Sequence, residues 1–345
     1  MKQYPGSCEG RSSMKNKFLS IPTKPIEVNP DMSCSDLLRG LEGCSFQGRQ
    51  LALAAKIWSE ALDEDIAVWM GLAGAMVPAG MRKIIVTLME SRLIDILVST
   101  GANLYHDYFE TIGHHHFIGT PHVDDKVLRE AKIDRIYDTY VDEYIFLELD
   151  KQIAEWAIET LEDRPYTTRE FLKLLGEEAA RKSNGEKGVL STAAELDIPI
   201  YCPAIGDSSI GIALAEMPRK VMFDMIGDVE ETAKMAASKP TMVIYVGGGT
   251  PKNFIQQTEV TNIVLNRDVQ GHKYAVQFVV DAPQWGGLSG CTFEEAISWG
   301  KIAADAKSVT VLCDATIALP IVTAAVMTRR KGKERLRKKK SPSEQ

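Results

Sequence analysis

The feature that most constrains this chain is a succession of short apolar runs, each followed by a turn and then by helical patterning. The runs are residues 66–72, 94–101, 198–201, 242–246, 275–280 and 309–313. They are rich in Val and Ile, and too short for buried helices, so they predict buried strands. Apolar residues at helical spacing lie between them, at 81–91 and 230–238. Apolar strands that alternate with helices predict a parallel sheet covered on both faces. The expected fold class is α/β: one large doubly wound, mostly parallel sheet of Rossmann-like type. Two further helical patterns precede it, one opened by Ser35, Leu37 and Leu38, the other running from Gly48 to Leu62. Residues 125–181, with Ile153, Trp156, Ala157 and Thr160 at helical spacing, predict a helical insertion.

The flanks differ from this body. Pro5, Pro22, Pro25 and Pro30 predict an irregular arm over residues 1–32. Nine basic residues against one Glu between Arg329 and Lys340 predict a solvated, disordered tail over 329–345. The folded domain is then 33–328. A net charge of −7 argues against non-specific nucleic-acid binding by that domain, and leaves only the basic tail to attract RNA. The six cysteines have no CxxC spacing and read as reduced thiols of a cytoplasmic protein. No run of about eighteen uncharged apolar residues predicts a membrane span. His114, His115, His116 and His122 could suggest a metal. Consecutive histidines cannot all face one ion, so a polar turn is expected and no metal.

Ligands of open parallel sheets bind beyond the carboxyl ends of the strands. Three loops expected there are rich in small polar residues: 99–103, with Thr100 and Gly101; 206–209, with Asp207; and the triple glycine Gly247-Gly248-Gly249. Glycine lets backbone amides approach a pyrophosphate, and a helix amino end favours the anion. None is a GxGxxG fingerprint, and glycine also serves ordinary turns. Asp314, at a strand end before Ala315 and Thr316, could accept from ribose hydroxyls or cap the next helix.

Residues 293–301, Phe-Glu-Glu-Ala-Ile-Ser-Trp-Gly-Lys, predict a short helix broken by Gly300. Glu294 and Glu295 suit its first turn. Lys301 stands at the break, two residues after Trp299. Apolar and cationic neighbours can free a lysine lone pair for imine chemistry. Taken alone, Lys301 reads first as a surface lysine at a helix carboxyl end, since a single lysine carries almost no specificity.

The segment Glu295-Ala296-Ile297-Ser298-Trp299-Gly300-Lys301 resembles the Glu-Ala-Val-Ser-Trp-Gly-Lys segment of deoxyhypusine synthases. The likeness extends from about Phe46 to about Val326 and includes Gly247-Gly248-Gly249 and Asp314-Ala315-Thr316. It implies that family's fold and chemistry. NAD would be bound by Thr100, Gly101, Asp207, Gly248, Gly249, Ser289, Asp314, Ala315 and Thr316. Lys301 would carry a 4-aminobutyl group from spermidine as an imine and face the nicotinamide at the loop end of the sheet. The acceptor amine would be a lysine of the translation factor five-A precursor, or a small diamine. A homotetramer with sites across a dimer contact is implied as well. Of the polyamine-binding set, Glu295 and Trp299 remain. His106 stands where the family has Glu, Ile212 and Leu288 where it has Asp, and Asn253 where it has His. The loss of three acids weakens the grip on a polycation. The pattern resembles the deoxyhypusine synthase-like branch of bacteria and archaea, some of whose members make homospermidine. The alternative expectation is an inactive NAD-binding subunit of a hetero-oligomer.

Overall fold

The computed structural model describes residues 18–335. The arm over 18–32 is irregular, as its prolines predict, and is tied down where Lys24 N donates to Gly43 O at 2.9 Å. Residues 1–17 of that arm and 336–345 of the tail lie outside the described residues.

In chain order the elements are α1 Cys34–Leu41, α2 Phe46–Ala61, β1 Ala67–Leu72, α3 Arg82–Glu90, β2 Ile96–Ser99 and α4 Gly101–Thr111. Next come β3 Phe117–Ile118, α5 Asp125–Glu130, β4 Ile133–Ile136, β5 Thr139–Asp142, α6 Glu143–Thr160, α7 Thr168–Lys182 and α8 Val189–Leu196. The last third holds β6 Ile200–Tyr201, α9 Ser209–Ala215, α10 Met225–Ala237, β7 Thr241–Val246, α11 Gly249–Val264, β8 His272–Val279, α12 Phe293–Ser298, β9 Ile302–Leu312 and α13 Ala315–Arg330.

Six strands form one sheet in the order β6-β2-β1-β7-β8-β9, every neighbouring pair parallel. Period-two alternation splits their side chains between two faces. Trp69, Val98, Val243, Tyr245 and Ala275 face one layer, which includes Ile255 of α11 and Phe293 and Ala296 of α12. Met70, Leu72, Leu97, Ile244 and Val276 face the other, against α2, α3, α4 and α13. The doubly wound expectation holds. Strand order reverses between β1 and β7, so the crevice for a ligand opens there.

The insertion is less helical than its periodicity implies. β3, β5 and β4 form a small antiparallel sheet, and β4 and β5 are a hairpin with Ile136 opposite Thr139. Its two-residue turn puts Tyr137 at φ +54°, a conformation usually signalled by Asn-Gly. Tyr-Asp gave no such signal. β9 also starts earlier than its apolar run. Asp305, Lys307 and Ser308 interrupt the hydrophobic pattern, and the pairing with β8 slips between His272 and Tyr274.

The basic segment expected to be a free tail from Arg329 begins inside the fold. α13 runs through Arg330, whose guanidinium pairs with Asp63 and is 8 % exposed. Arg329 reaches Glu42 at 3.3 Å, and Arg335 reaches Asp95 at 2.6 Å. Acids at the carboxyl end of α1 and on the loops beside β1 and β2 neutralise these cations, which a charge count along the chain does not reveal.

Candidate active site

The carboxyl-end loops are laced together through the main chain. Thr100 N donates to Leu72 O at 3.1 Å, Ala73 N to Val246 O at 3.0 Å, and Gly247 N to Phe278 O at 2.8 Å. Asn103 adds side-chain ties: its Nδ2 donates to Gly74 O at 2.7 Å and to Thr100 Oγ1 at 3.0 Å. A Cβ on Gly101 would lie 2.3 Å from Ser208 Oγ, so only glycine lets the Thr100 loop meet the Asp207-Ser208 loop. Asp207 itself is exposed.

The triple glycine turns out of β7 with Gly247 at φ +75° and Gly249 at φ +59°, both left-handed, and leads into the sixteen-residue α11. Side chains rarely adopt these angles, which fixes glycine there. Gly248 is required by a contact: a Cβ would stand 2.4 Å from Ser289 Cα. Thus Gly248, Gly249 and Ser289 are brought together beside the strand-order reversal. Asp314 caps α13, accepting from Thr316 N at 2.8 Å, and remains exposed next to Ala315. Of the two roles open to Asp314, the cap is present.

Two buried polar residues that sequence reasoning passed over hold this end in place. Gln277 of β8 donates through Nε2 to Gly247 O and to Ser289 O, both at 2.9 Å. Its Oε1 accepts from Lys252 Nζ at 2.9 Å, and Lys252 also donates to Cys291 O at 2.6 Å. Lys252 is 1 % exposed, and its Nζ lies 5.9 Å from the Tyr245 and Phe293 ring centres. Burial pulls its ammonium down to about 8, with the Lys301 charge adding to the effect and Cys291 and Glu295 opposing it. A polar residue inside the apolar run 274–279 was the available sign of Gln277.

Lys301 ends the segment that crosses from β8 to β9. Thr292 caps α12, its Oγ1 accepting from Glu295 N at 3.1 Å, and Glu294 and Glu295 occupy the first turn. Gly300 breaks the helix at φ +69°. Lys301 N then donates to Ala296 O at 3.1 Å, and Lys301 O accepts from His272 N at 3.1 Å. The side chain is 9 % exposed, and Nζ sits 5.2 Å from the centre of the Trp299 ring, itself 61 % exposed.

The structure places Lys301 and the triple glycine at opposite ends of the strands. Lys301 starts β9 beside His272, whereas Gly247 ends β7 beside Phe278. Six residues of β8 separate those levels, about 20 Å at a strand's rise of about 3.3 Å per residue. A connection between parallel strands must return to the start of the next one. It crosses the sheet face as it does so. Lys252, Cys291 and Glu295 line this crossing and link the loop end electrically to Lys301.

His106 and Asn253 take other positions. Asn253 is half-buried in the first turn of α11. His106 lies on α4, whose preceding strand is four places from β9 in the sheet. Within one chain it is therefore not beside Lys301. Asp107 fixes the roll of α4 by accepting from Val189 N at 2.6 Å and Leu190 N at 2.8 Å. The next residue back then faces Tyr105, Phe146 and His116.

A cavity of about 400 Å³ opens at the amino ends of the strands, lined by Thr241, Glu259, Gly271, Ala303 and Asp305 among others. Burial pushes the Glu259 carboxyl up to about 7 from its ordinary 4.5, against a hydrogen bond from the Gly271 amide. An acid whose folded value is raised costs stability as pH climbs from the unfolded value through the folded one. We expect Glu259→Gln to raise the melting temperature by several degrees at pH 8 and to leave it unchanged at pH 4, read by calorimetry at both. Equal shifts at both pH values would mean that Glu259 is not held protonated by burial. Among the described residues no group of His, Cys, Asp and Glu is arranged to hold a metal ion, and no helix is long and apolar enough to cross a membrane.

A sequence profile of the family "Deoxyhypusine synthase" matches residues 36–326. A Methanosarcina mazei protein named "Probable deoxyhypusine synthase 2" is 49% identical over 325 residues, covering 93% of this chain and 94% of its own. A protein of the same name from Archaeoglobus fulgidus is 52% identical over 292 residues, covering 84% and 96%. A crystal structure from Entamoeba histolytica, of a protein named for the same activity, superposes with a TM-score of 0.59 at 16% identity, covering 91% of this chain and 98% of that one. That last likeness concerns the fold alone. With most of its length matched at about half identity, and with the lysine segment and glycine loop in place, the chain belongs to the deoxyhypusine synthase family of transferases.

Proposed function

We propose that the protein transfers a 4-aminobutyl group from spermidine, or a related amine, through an imine on Lys301 to an acceptor amine. The observation that carries this reading is the setting of Lys301: an almost buried amine on an indole face, with Glu295 and a second, buried ammonium within electrostatic reach. Its backbone is clamped at both peptide groups, so the amine's origin is fixed. Such an amine is shielded from water and pre-positioned for attack on a carbon–nitrogen double bond.

The residues at the loop end fit a dinucleotide. Gly249, with no atom within 4 Å of where a Cβ would be, leaves open space at the amino end of α11. That is the arrangement that receives a pyrophosphate. Thr100, Gly101, Asp207, Gly248, Gly249, Ser289, Asp314, Ala315 and Thr316 would hold NAD. When bound, NAD supplies a hydride acceptor that later gives the hydride back. Glu295 would pair with the substrate's cationic end, Trp299 would cover its methylene stem, and His106 and Asn253 would contact its amines.

Because both His106 and the glycine loop lie apart from Lys301 in one chain, the site is complete only if a second copy brings its loop end and His106 to Lys301. Val280, Trp285, Leu288, Ile297 and Trp299 on the crossing segment are 75 %, 76 %, 48 %, 37 % and 61 % exposed. Large exposed apolar residues of this kind suit an interface between copies, and a homotetramer with shared sites is the assembly we expect.

The test is incubation with NAD and spermidine, borohydride reduction, and mass spectrometry of the peptide that carries Lys301. An aminobutyl adduct there is the expected result. Adding either translation factor five-A precursor or putrescine then distinguishes deoxyhypusine formation from homospermidine formation. NAD binding without any adduct would favour the alternative, an inactive NAD-binding subunit of a hetero-oligomer, for which the three missing polyamine acids are the argument.

A further inference from the structure

We infer that Glu110, His116 and His106 form a proton relay, through which His106 takes a proton from the substrate amine and passes it towards a solvent-filled cavity on the far side. This rests on the aminobutyl-transfer reading in one respect, that His106 meets the amine. The geometry of the relay stands without it.

His116 Nδ1 is 2.7 Å from Glu110 Oε1, and His116 Nε2 is 2.9 Å from His106 Nδ1. Glu110 Oε2 is paired with the Arg82 guanidinium, Nε at 2.8 Å, and in that pair its oxygens accept. His116 must then donate from Nδ1, which leaves its Nε2 to accept from His106 Nδ1–H. Both rings are thereby set in the Nδ1–H tautomer, and the lone pair of His106 points outward from Nε2. His106 Nε2 has no partner among the described residues. The rings of Tyr105, Phe109 and Phe146 enclose the pair.

The proton balance is simple. A proton leaves the amine nitrogen for His106 Nε2. The Nδ1 proton of His106 moves to His116 Nε2. His116 is now an imidazolium against the Glu110 carboxylate, and its Nδ1 proton can leave by Glu110 to water. Glu110 lines a cavity of about 560 Å³ with Arg82, Lys83, His115 and Glu186. The positive charge thus comes to rest beside the acid rather than on His106. Burial, with His116 adding to it, holds His106 down to about 4, so the ring is neutral at pH 7 and its Nε2 lone pair is free. The charged groups around the relay are Arg82 with Glu110 and Glu186, Lys83 on Glu186, and buried Asp107 within electrostatic reach of Arg82 and Glu110 on one side, and Asp150, held by Tyr105 Oη at 2.7 Å, on the other. Of the histidine cluster the relay uses His116 alone; His114 and His115 follow the turn at 112–113, as expected.

Nitrogen-15 spectra of the full chain without ligands provide the first test. Both rings should be Nδ1–H at pH 8. On acidification His106 should switch to Nε2–H as His116 becomes doubly protonated. A wild-type His106 that is Nε2–H at pH 8, or that ionises without His116, overturns the proposal. The second test uses His116→Gln, which can still accept from His106 and donate to Glu110 but cannot carry a proton. Aminobutyl capture at pH 7 should fall about 10²-fold, the usual contribution of a general base. It should recover towards pH 10, where solution chemistry deprotonates the amine. Unchanged capture, or an equal loss at every pH, would leave a purely structural role for the cluster. If wild type captures no amine at any pH, the transfer reading fails and the coupled ring titration alone decides the relay.

Discussion

Replacing Lys301 with Ala or Arg should abolish the borohydride-trapped adduct and lower transfer by about 10⁴-fold or more, the scale on which removal of a covalent nucleophile acts. Arg is the sharper substitution. It keeps a cation near the Trp299 ring, 5.2 Å from the lysine nitrogen in the wild type, but a guanidinium offers no lone pair for an imine. If Lys301→Arg retained transfer, Lys301 would be only a charge that helps bind substrate. Stability should change little with either variant, because the ammonium makes no hydrogen bond among the described residues. A drop in melting temperature that matched the loss of activity would point to misfolding instead, which circular dichroism would reveal.

The second large effect is expected at Gln277, and it acts on stability. Gln277→Leu conserves volume, yet it strips partners from the carbonyls of Gly247 and Ser289 and from the Lys252 ammonium. Each buried polar group left without a partner costs about 1–3 kcal/mol, and a buried charge more. The expected destabilisation is about 4 kcal/mol, or roughly 6 °C for a chain of this size. The glycine turn and the Ser289 turn would separate, so NAD affinity should fall with stability. Adding Lys252→Met should recover part of the loss, because the stranded ammonium is then gone. A double-mutant cycle in urea measures this. A double variant less stable than the single one would show that Lys252 is held by Cys291 O alone and that Gln277 matters only for the loops.

These two residues mark where reading the chain succeeds and where it stops. The order of strands and helices was legible because each central strand carries a near-continuous apolar run, which a two-sided parallel sheet requires. Lys301 was legible as a site candidate because the segment Glu295–Lys301 resembles the family's lysine segment; the helix break, indole and lysine alone suit a surface lysine equally well or better. The glycines were legible as turns. Gln277 and Lys252 were not singled out, since one polar residue in a strand and one lysine in a helix have ordinary explanations until their partners are known. His116 was dismissed for the same reason, its partners being six and ten positions away. The hairpin at 133–142 was missed because its turn lacks Asn-Gly, and Arg329, Arg330 and Arg335 were assigned to a tail because their acids are hundreds of residues distant in sequence.

By itself, then, the sequence determined the α/β architecture, the family and Lys301 as the candidate for the reactive amine, because periodicity and short motifs are local properties. Which end of the sheet that amine occupies was decided only by the tertiary structure. Parallel strands oblige each connection to travel back across a face, so a lysine that opens a strand lies a strand's length from glycines that close one. The same return path buries Lys252 and Gln277 as the polar bridge between the two ends.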